Sequence, residues 1–180
     1  MINLYGENDL SVAEKQYKKS RNLTIIISAV YLVLCVIICV IYAVQDYKTP
    51  LRIPLYICVI ILTIAYISFV VMYYDLALKK YGKYKDFVKY AIKSTAPAKT
   101  NVFIRKEYNS TVKDGVEGVS LFFLEWSEKE HDFFEIQIYL DVKKDGDYFK
   151  KGDKVEHIEY SNFLIGYDIV NKQNSDNSEE

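Results

Sequence analysis

Two long uncharged apolar runs, 22–45 and 53–74, dominate the first half of the chain, and from residue 101 a two-residue alternation replaces them. A bilayer's ~30 Å hydrocarbon core takes ~20 helical residues, so each run is long enough to cross one. The first run holds 14 Leu, Ile and Val residues and no charge. Each of these favours insertion by roughly 0.3–0.6 kcal/mol near the bilayer centre. Pro54 falls in the first turn of the second predicted helix, where its missing N–H has no helical partner to lose. The reading is a transmembrane hairpin. Its first run is taken as retained, because the apolar core of a cleaved signal is only about 7–15 residues long.

In the second half, strands are predicted at 102–108, 119–126, 133–142, 154–160 and 163–170. The clearest is 133–142, where Phe134, Ile136, Ile138, Leu140 and Val142 alternate with Phe133, Glu135, Gln137, Tyr139 and Asp141. Turn signals separate the strands at Asp114-Gly115, 127–130, Asp145-Gly146 and Gly152-Asp153. The predicted fold is therefore an α+β membrane protein, a two-helix transmembrane hairpin followed by a small antiparallel β-sheet or barrel arranged as a meander. The segment 149–155, a Gly-Asp turn before a strand, resembles a turn of SH3-like and OB-like barrels and identifies no family.

This divides the chain into five parts: a part-helical cytoplasmic segment (1–21), the hairpin (22–74), a basic juxtamembrane helix and linker (75–99), a cytoplasmic β domain (100–171) and a disordered acidic tail (172–180). Ser11 and Glu14 have capping-box spacing, which predicts a helix from about Val12 and a mobile stretch before it.

The net charge of -1 is the sum of unlike halves. Residues 1–99 hold 13 Lys/Arg against 6 Asp/Glu, a balance of +7, and residues 100–180 hold 10 against 18, a balance of -8. Lys15, Lys18, Lys19 and Arg21 precede the first run, Lys79, Lys80, Lys83, Lys85, Lys89 and Lys93 follow the second, and only Lys48 and Arg52 lie between. By the positive-inside rule both termini are cytoplasmic and the loop lies outside, in the plasma membrane. The six lysines after the second run are expected to contact an anionic inner leaflet. There each cation gains ~1 kcal/mol. Ala77, Tyr81, Tyr84, Val88 and Ala91 form one helical stripe among these lysines, facing either the leaflet or the protein's own domain.

Antiparallel helices place residues whose numbers sum to about 97 at equal depth. Small residues there allow close backbone approach. Ser28, Cys35 and Cys39 on the first helix, and Cys58, Ala65 and Ser68 on the second, are the expected packing faces within one chain or between copies. The three cysteines, all inside the runs, behave as small hydrophobes.

Candidate chemistry is sparse. Neither run carries an ionisable residue, which argues against a proton or ion path through this chain alone. His131 and His157 are the only histidines and lie in no metal spacing. No phosphate loop or nucleophile motif occurs. No catalytic, cofactor or metal site is expected, and a domain at -8 repels nucleic acid. The expected function is non-enzymatic: a membrane protein presenting an acidic β domain to another protein or a second copy, with Phe133 and Tyr139 as contacts. The alternative is a small subunit of a transporter, channel or secretion complex, assembled through the hairpin.

Overall fold

The computed structural model describes residues 1–45, 50, 52–113 and 115–171. Asp46, Tyr47, Lys48, Asp114 and the predicted acidic tail lie outside the described residues. The chain forms two compact units, one from residues 14–82 and one from residues 1–13 together with those from 83 onward.

The apolar runs are helical, as a helix satisfies its backbone N–H and C=O groups internally and leaves only side chains at its surface. They form α1 (Glu7–Val44) and α2 (Arg52–Tyr73). A π-helical turn (Tyr74–Leu78) joins α2 to α3 (Lys79–Lys93). Each long helix contains a window long and apolar enough to cross a membrane, and none of either window is buried.

The α1–α2 seam is a ladder of hydroxyls. Ser20 Oγ donates to Tyr73 Oη at 3.0 Å, Ser28 Oγ and Tyr66 Oη share a hydrogen bond at 2.7 Å, and Tyr31 Oη and Thr63 Oγ1 share one at 3.0 Å. The Tyr31 and Tyr66 rings stack at 4.0 Å, 2° from parallel. Their numbers sum to 97, the expected depth match, but the contact face is rotated by one position from the small-residue stripe. Ser28 and Cys35 are half-buried, whereas Cys39, Cys58, Ala65 and Ser68 are exposed, so the expected packing face of α2 does not meet α1 within the chain. The physical reason is polar satisfaction: a hydroxyl on an apolar helix is stabilised by a partner across the seam. A reading based on side-chain size overlooks that requirement.

In the other unit, six strands are β1 (Ile2–Asn3), β2 (Lys99–Lys113), β3 (Val116–Ser127), β4 (Asp132–Asp141), β5 (Lys154–Tyr160) and β6 (Phe163–Asn171). β2, β3 and β4 are consecutive antiparallel neighbours. β5 then crosses to pair with β2, and β6 lies between β5 and β4. The meander expectation is corrected here, because the fourth barrel strand returns beside the first, a Greek-key arrangement. Closure rests on a parallel bridge, Tyr139 opposite Phe163, with Tyr139 N–H donating to the Asn162 carbonyl at 2.7 Å. The result is a closed five-stranded barrel, which leaves few unpaired strand edges.

The predicted alternation holds in the middle of β4, where Ile138 and Leu140 are buried, but Phe134 at the hairpin tip and Val142 past the strand's end are exposed. Phe103, Leu121, Phe123, Ile138, Leu140, Val155 and Leu164 fill the interior. A second core lies outside the barrel wall, where Tyr84, Phe87, Val88 and Ala91 of α3 pack with Tyr5, Ala13 and Phe163. Of the expected stripe, Tyr84, Val88 and Ala91 pack against the barrel, together with Phe87, which the stripe omitted, while Tyr81 is exposed.

The N-terminus is also ordered against the barrel, not mobile. β1 pairs with β6, Leu4 N–H donates to the Ile165 carbonyl at 2.9 Å, and the terminal ammonium meets Asp168 at 3.0 Å. α1 starts at Glu7 and not near Val12. Asp9 caps it by accepting from Gly6 N–H at 2.9 Å, the N3 half of a capping box, while Ser11 is already helical and donates to the Asn8 carbonyl.

Candidate functional site

Three parts of the barrel unit carry polar or aromatic groups that packing alone does not explain. The first is the β3–β4 hairpin tip. Ten residue pairs run from Gly118–Asp141 to Ser127–Asp132, and at the far end Asp132, Phe133, Phe134 and Glu135 are all exposed. The turn is held by His131 N–H donating to the Ser127 carbonyl at 2.9 Å and Glu130 N–H donating to Ser127 Oγ at 3.2 Å. His131 takes a positive φ of 52° to close it.

Trp126 and Phe133 are cross-strand partners on the outer face, ring edge to ring face at 4.9 Å, yet remain 48% and 57% exposed. The His131 ring lies 6.5 Å from Trp126. Acidic residues Glu128, Glu130 and Asp132 follow the sequence of the turn, with Lys129 the one cation among them. Beside the tip, Arg105 bonds Glu107 and Glu135, each at 2.8 Å, and covers the Phe122 ring at 4.1 Å. The hydrogen bond from Arg105 holds the Glu135 carboxyl below its ordinary pKa. The exposed aromatics thus sit in an acidic setting whose nearest guanidinium is already engaged.

Of the two contacts expected from sequence, Phe133 is at this tip and Tyr139 is not. Tyr139 is half-buried, its ring 5.5 Å from Phe163. The outward alternation named both, but only the strand crossing reveals that Phe163 covers one of them. Trp126 was missed. Its signal was available in the hairpin arithmetic, because a turn at 127–131 places it opposite Phe133.

The second part is polar and buried. Asp141 Oδ2 accepts from Tyr5 Oη at 3.2 Å and Tyr84 Oη at 3.0 Å, and Oδ1 accepts from Lys143 N–H at 2.9 Å. Nearby, Lys144 Nζ donates to Asp9 at 2.6 Å. Burial would raise the Asp9 pKa, but the Lys144 and Gly6 hydrogen bonds outweigh it and lower it. One carboxylate therefore ties the N-terminal segment, α3 and β4 together. The three donors it accepts from mark it as a structural hub.

Inside the barrel, His157 is fully buried and stacks on Phe123 at 5.1 Å, and neither ring nitrogen has a partner within hydrogen-bond geometry. Burial holds its pKa below the ordinary value, against smaller upward pulls from the Glu159 carboxylate and the Val155 backbone. The folded state therefore favours the neutral ring. Its contribution is intact above the unfolded pKa of about 6.5 and is lost as pH falls below it. Denaturant midpoints should drop between about pH 6.5 and pH 5 for the native chain, and His157→Leu should remove that drop. An unchanged pH profile in the variant would refute the assignment.

Among the described residues, no group of three or more His, Cys, Asp or Glu side chains converges to hold a metal ion. The predicted leaflet lysines lie on α3: Lys79 pairs with Asp75 and Lys85 with Asp86, each at 3.3 Å, while Lys80, Lys83, Lys89 and Lys93 are exposed. Comparison with known proteins finds no matching family, no similar characterised protein and no similar solved structure.

Proposed function

We propose that this chain is an integral protein of the plasma membrane with two spans and both termini in the cytoplasm. It tethers a small acidic barrel as a non-enzymatic docking module for another protein. The observation that carries the reading is that neither apolar window is buried at all. A protein in water hides helices of that kind, because exposed apolar patches beyond a few hundred Å² associate or insert. The lysines on either side of the runs set the orientation, and those from Lys79 to Lys93 supply attraction to anionic lipid.

Docking is assigned to the Trp126–Phe133 pair. Large rigid aromatics lose little entropy when buried at an interface and account for much of the binding energy in such contacts. The acidic setting favours a partner segment rich in Lys or Arg. The alternative is a subunit assembled through the hairpin. It is favoured by the exposed face of Cys58, Ala65 and Ser68, which leaves small residues available to a neighbouring helix.

Alkaline carbonate washing of membranes should leave the full chain in the pellet; release into the supernatant would overturn the membrane reading. Capture of a partner in mild detergent should fall at least tenfold with Trp126→Ala/Phe133→Ala. Capture that survives both this change and removal of residues 100–180 would establish the hairpin reading instead.

A further inference from the structure

We propose that α1, the end of α2 and the start of α3 bind the phosphate headgroup of an anionic phospholipid in a cavity lined by Gln16, Lys19, Ser20, Leu23, Tyr73 and Tyr81. This rests on the membrane reading and adds a site to it. The cavity holds about 330 Å³, within the ~300–1,000 Å³ range of small-molecule sites.

Its position along both helices matches a headgroup. On α1 it spans the switch from charged to uncharged sequence, with Lys19 just before the run at 22–45 and Leu23 just inside it. On α2 it lies where the second run ends, at Tyr73. An anionic group and the start of an acyl chain would meet the corresponding side chains in that order.

The donors are arranged for an anion. Lys19 is exposed and makes no ion pair among the described residues, unlike Lys18, whose ammonium lies 3.9 Å from Glu14. Ser20 is 4% exposed and donates to the Tyr73 oxygen. Tyr73 is thereby the acceptor, and its own O–H proton is left to donate to a phosphate oxygen. Charge-assisted bonds from an ammonium and hydroxyls to phosphate are among the stronger polar contacts.

The π-helical turn explains how two tyrosines reach one cavity. Tyr73 and Tyr81 are eight residues apart, more than two α-helical turns. The wider turn at Tyr74–Leu78, closed by Lys79 N–H donating to the Tyr74 carbonyl, takes up the excess. Both rings then line the same space.

The test uses the purified full chain in uncharged detergent, with phosphatidylglycerol or phosphatidylcholine of matched acyl chains added and bound lipid counted by native mass spectrometry. Phosphatidylglycerol should be retained in preference to phosphatidylcholine. Lys19→Gln should lower its occupancy about fivefold or more, Tyr73→Phe should lower it less, and Lys129→Gln on the barrel should leave it unchanged. Equal retention by Lys19→Gln, or equal loss with Lys129→Gln, would overturn the site. Displacement of the lipid by millimolar inorganic phosphate would also overturn it, as the cavity would then be a site for free anions. Carbonate washing of the same variants keeps the two readings apart. A chain that stays in the pellet without lipid preference refutes the cavity alone, and a chain that washes off refutes both.

Discussion

Phe163→Ala should destabilise the barrel unit by about 3–5 kcal/mol, the range for deleting a fully buried aromatic side chain. Phe163 is 0% exposed and lies in the core between α3 and the barrel wall. Its ring lies 5.2 Å from Phe87 on α3 and 5.5 Å from Tyr139 on β4, at the parallel bridge that closes the barrel. The space around it is tight from the other side as well. A Cβ added at Gly118 would stand 2.7 Å from the Phe163 ring and 3.0 Å from Tyr139 Cβ, so Gly118→Ala overpacks the same point that Phe163→Ala empties. Domains of this size have only modest stability to lose. Guanidinium titration of the detergent-solubilised full chain, followed by near-ultraviolet circular dichroism, should show the barrel transition shifted far down or absent for Phe163→Ala. A loss below about 1 kcal/mol would mean that closure does not depend on this ring.

Asp141→Leu should cost about 3 kcal/mol or more, because it strands three donors at once. The Tyr5 and Tyr84 hydroxyls and the Lys143 N–H all bond this carboxylate, which is 1% exposed. Each buried donor left without a partner costs about 1–3 kcal/mol. Removing the stranded hydroxyls should restore part of the loss, so Tyr5→Phe/Tyr84→Phe/Asp141→Leu is expected to be more stable than Asp141→Leu alone. Burial first, then the Asp141 charge, raises the pKa of both tyrosines. The fold thus prefers their protonated forms. Their contribution is intact below the unfolded pKa of about 10 and declines as pH rises above it. The double Tyr→Phe chain should show a smaller alkaline decline, the remainder coming from Tyr167, whose pKa burial also raises. If the triple variant is no more stable than Asp141→Leu, the hub is not a coupled network.

Much of this architecture was legible along the chain because it depends on nearest neighbours. An uncharged run of about 20 residues or more placed in lipid must satisfy its own backbone and so forms a helix, and alternation names the two faces of a strand whatever the strand pairs with. Predicted strand 154–160 coincides with β5. The inward set Ile136, Ile138 and Leu140 follows from its period. The lengths and signs of the charged segments were equally plain.

What was not legible depended on contacts distant in sequence. The seam on α1 and α2 is chosen by hydroxyl pairing between Ser28 and Tyr66 and between Tyr31 and Thr63, and no local pattern says which of two adjacent faces will turn inward. The start of the chain was expected to be mobile, yet Tyr5 reaches Asp141 across 136 positions. Of the two outward aromatics on β4, only the return of β6 determines that Tyr139 is covered while Phe133 stays in solvent.

By itself the sequence determined two apolar helices, a basic half, an acidic half and five strands with the inward residues of their middles, since each of these is a property of composition or period. Tertiary structure alone decided the Greek-key crossing, the covering of the barrel by α3 and the N-terminus, the hydroxyl seam and the cavity at Lys19 and Tyr73. Those features arise from which buried polar groups can find partners and which surfaces can close on one another, and that selection is made only once distant segments meet.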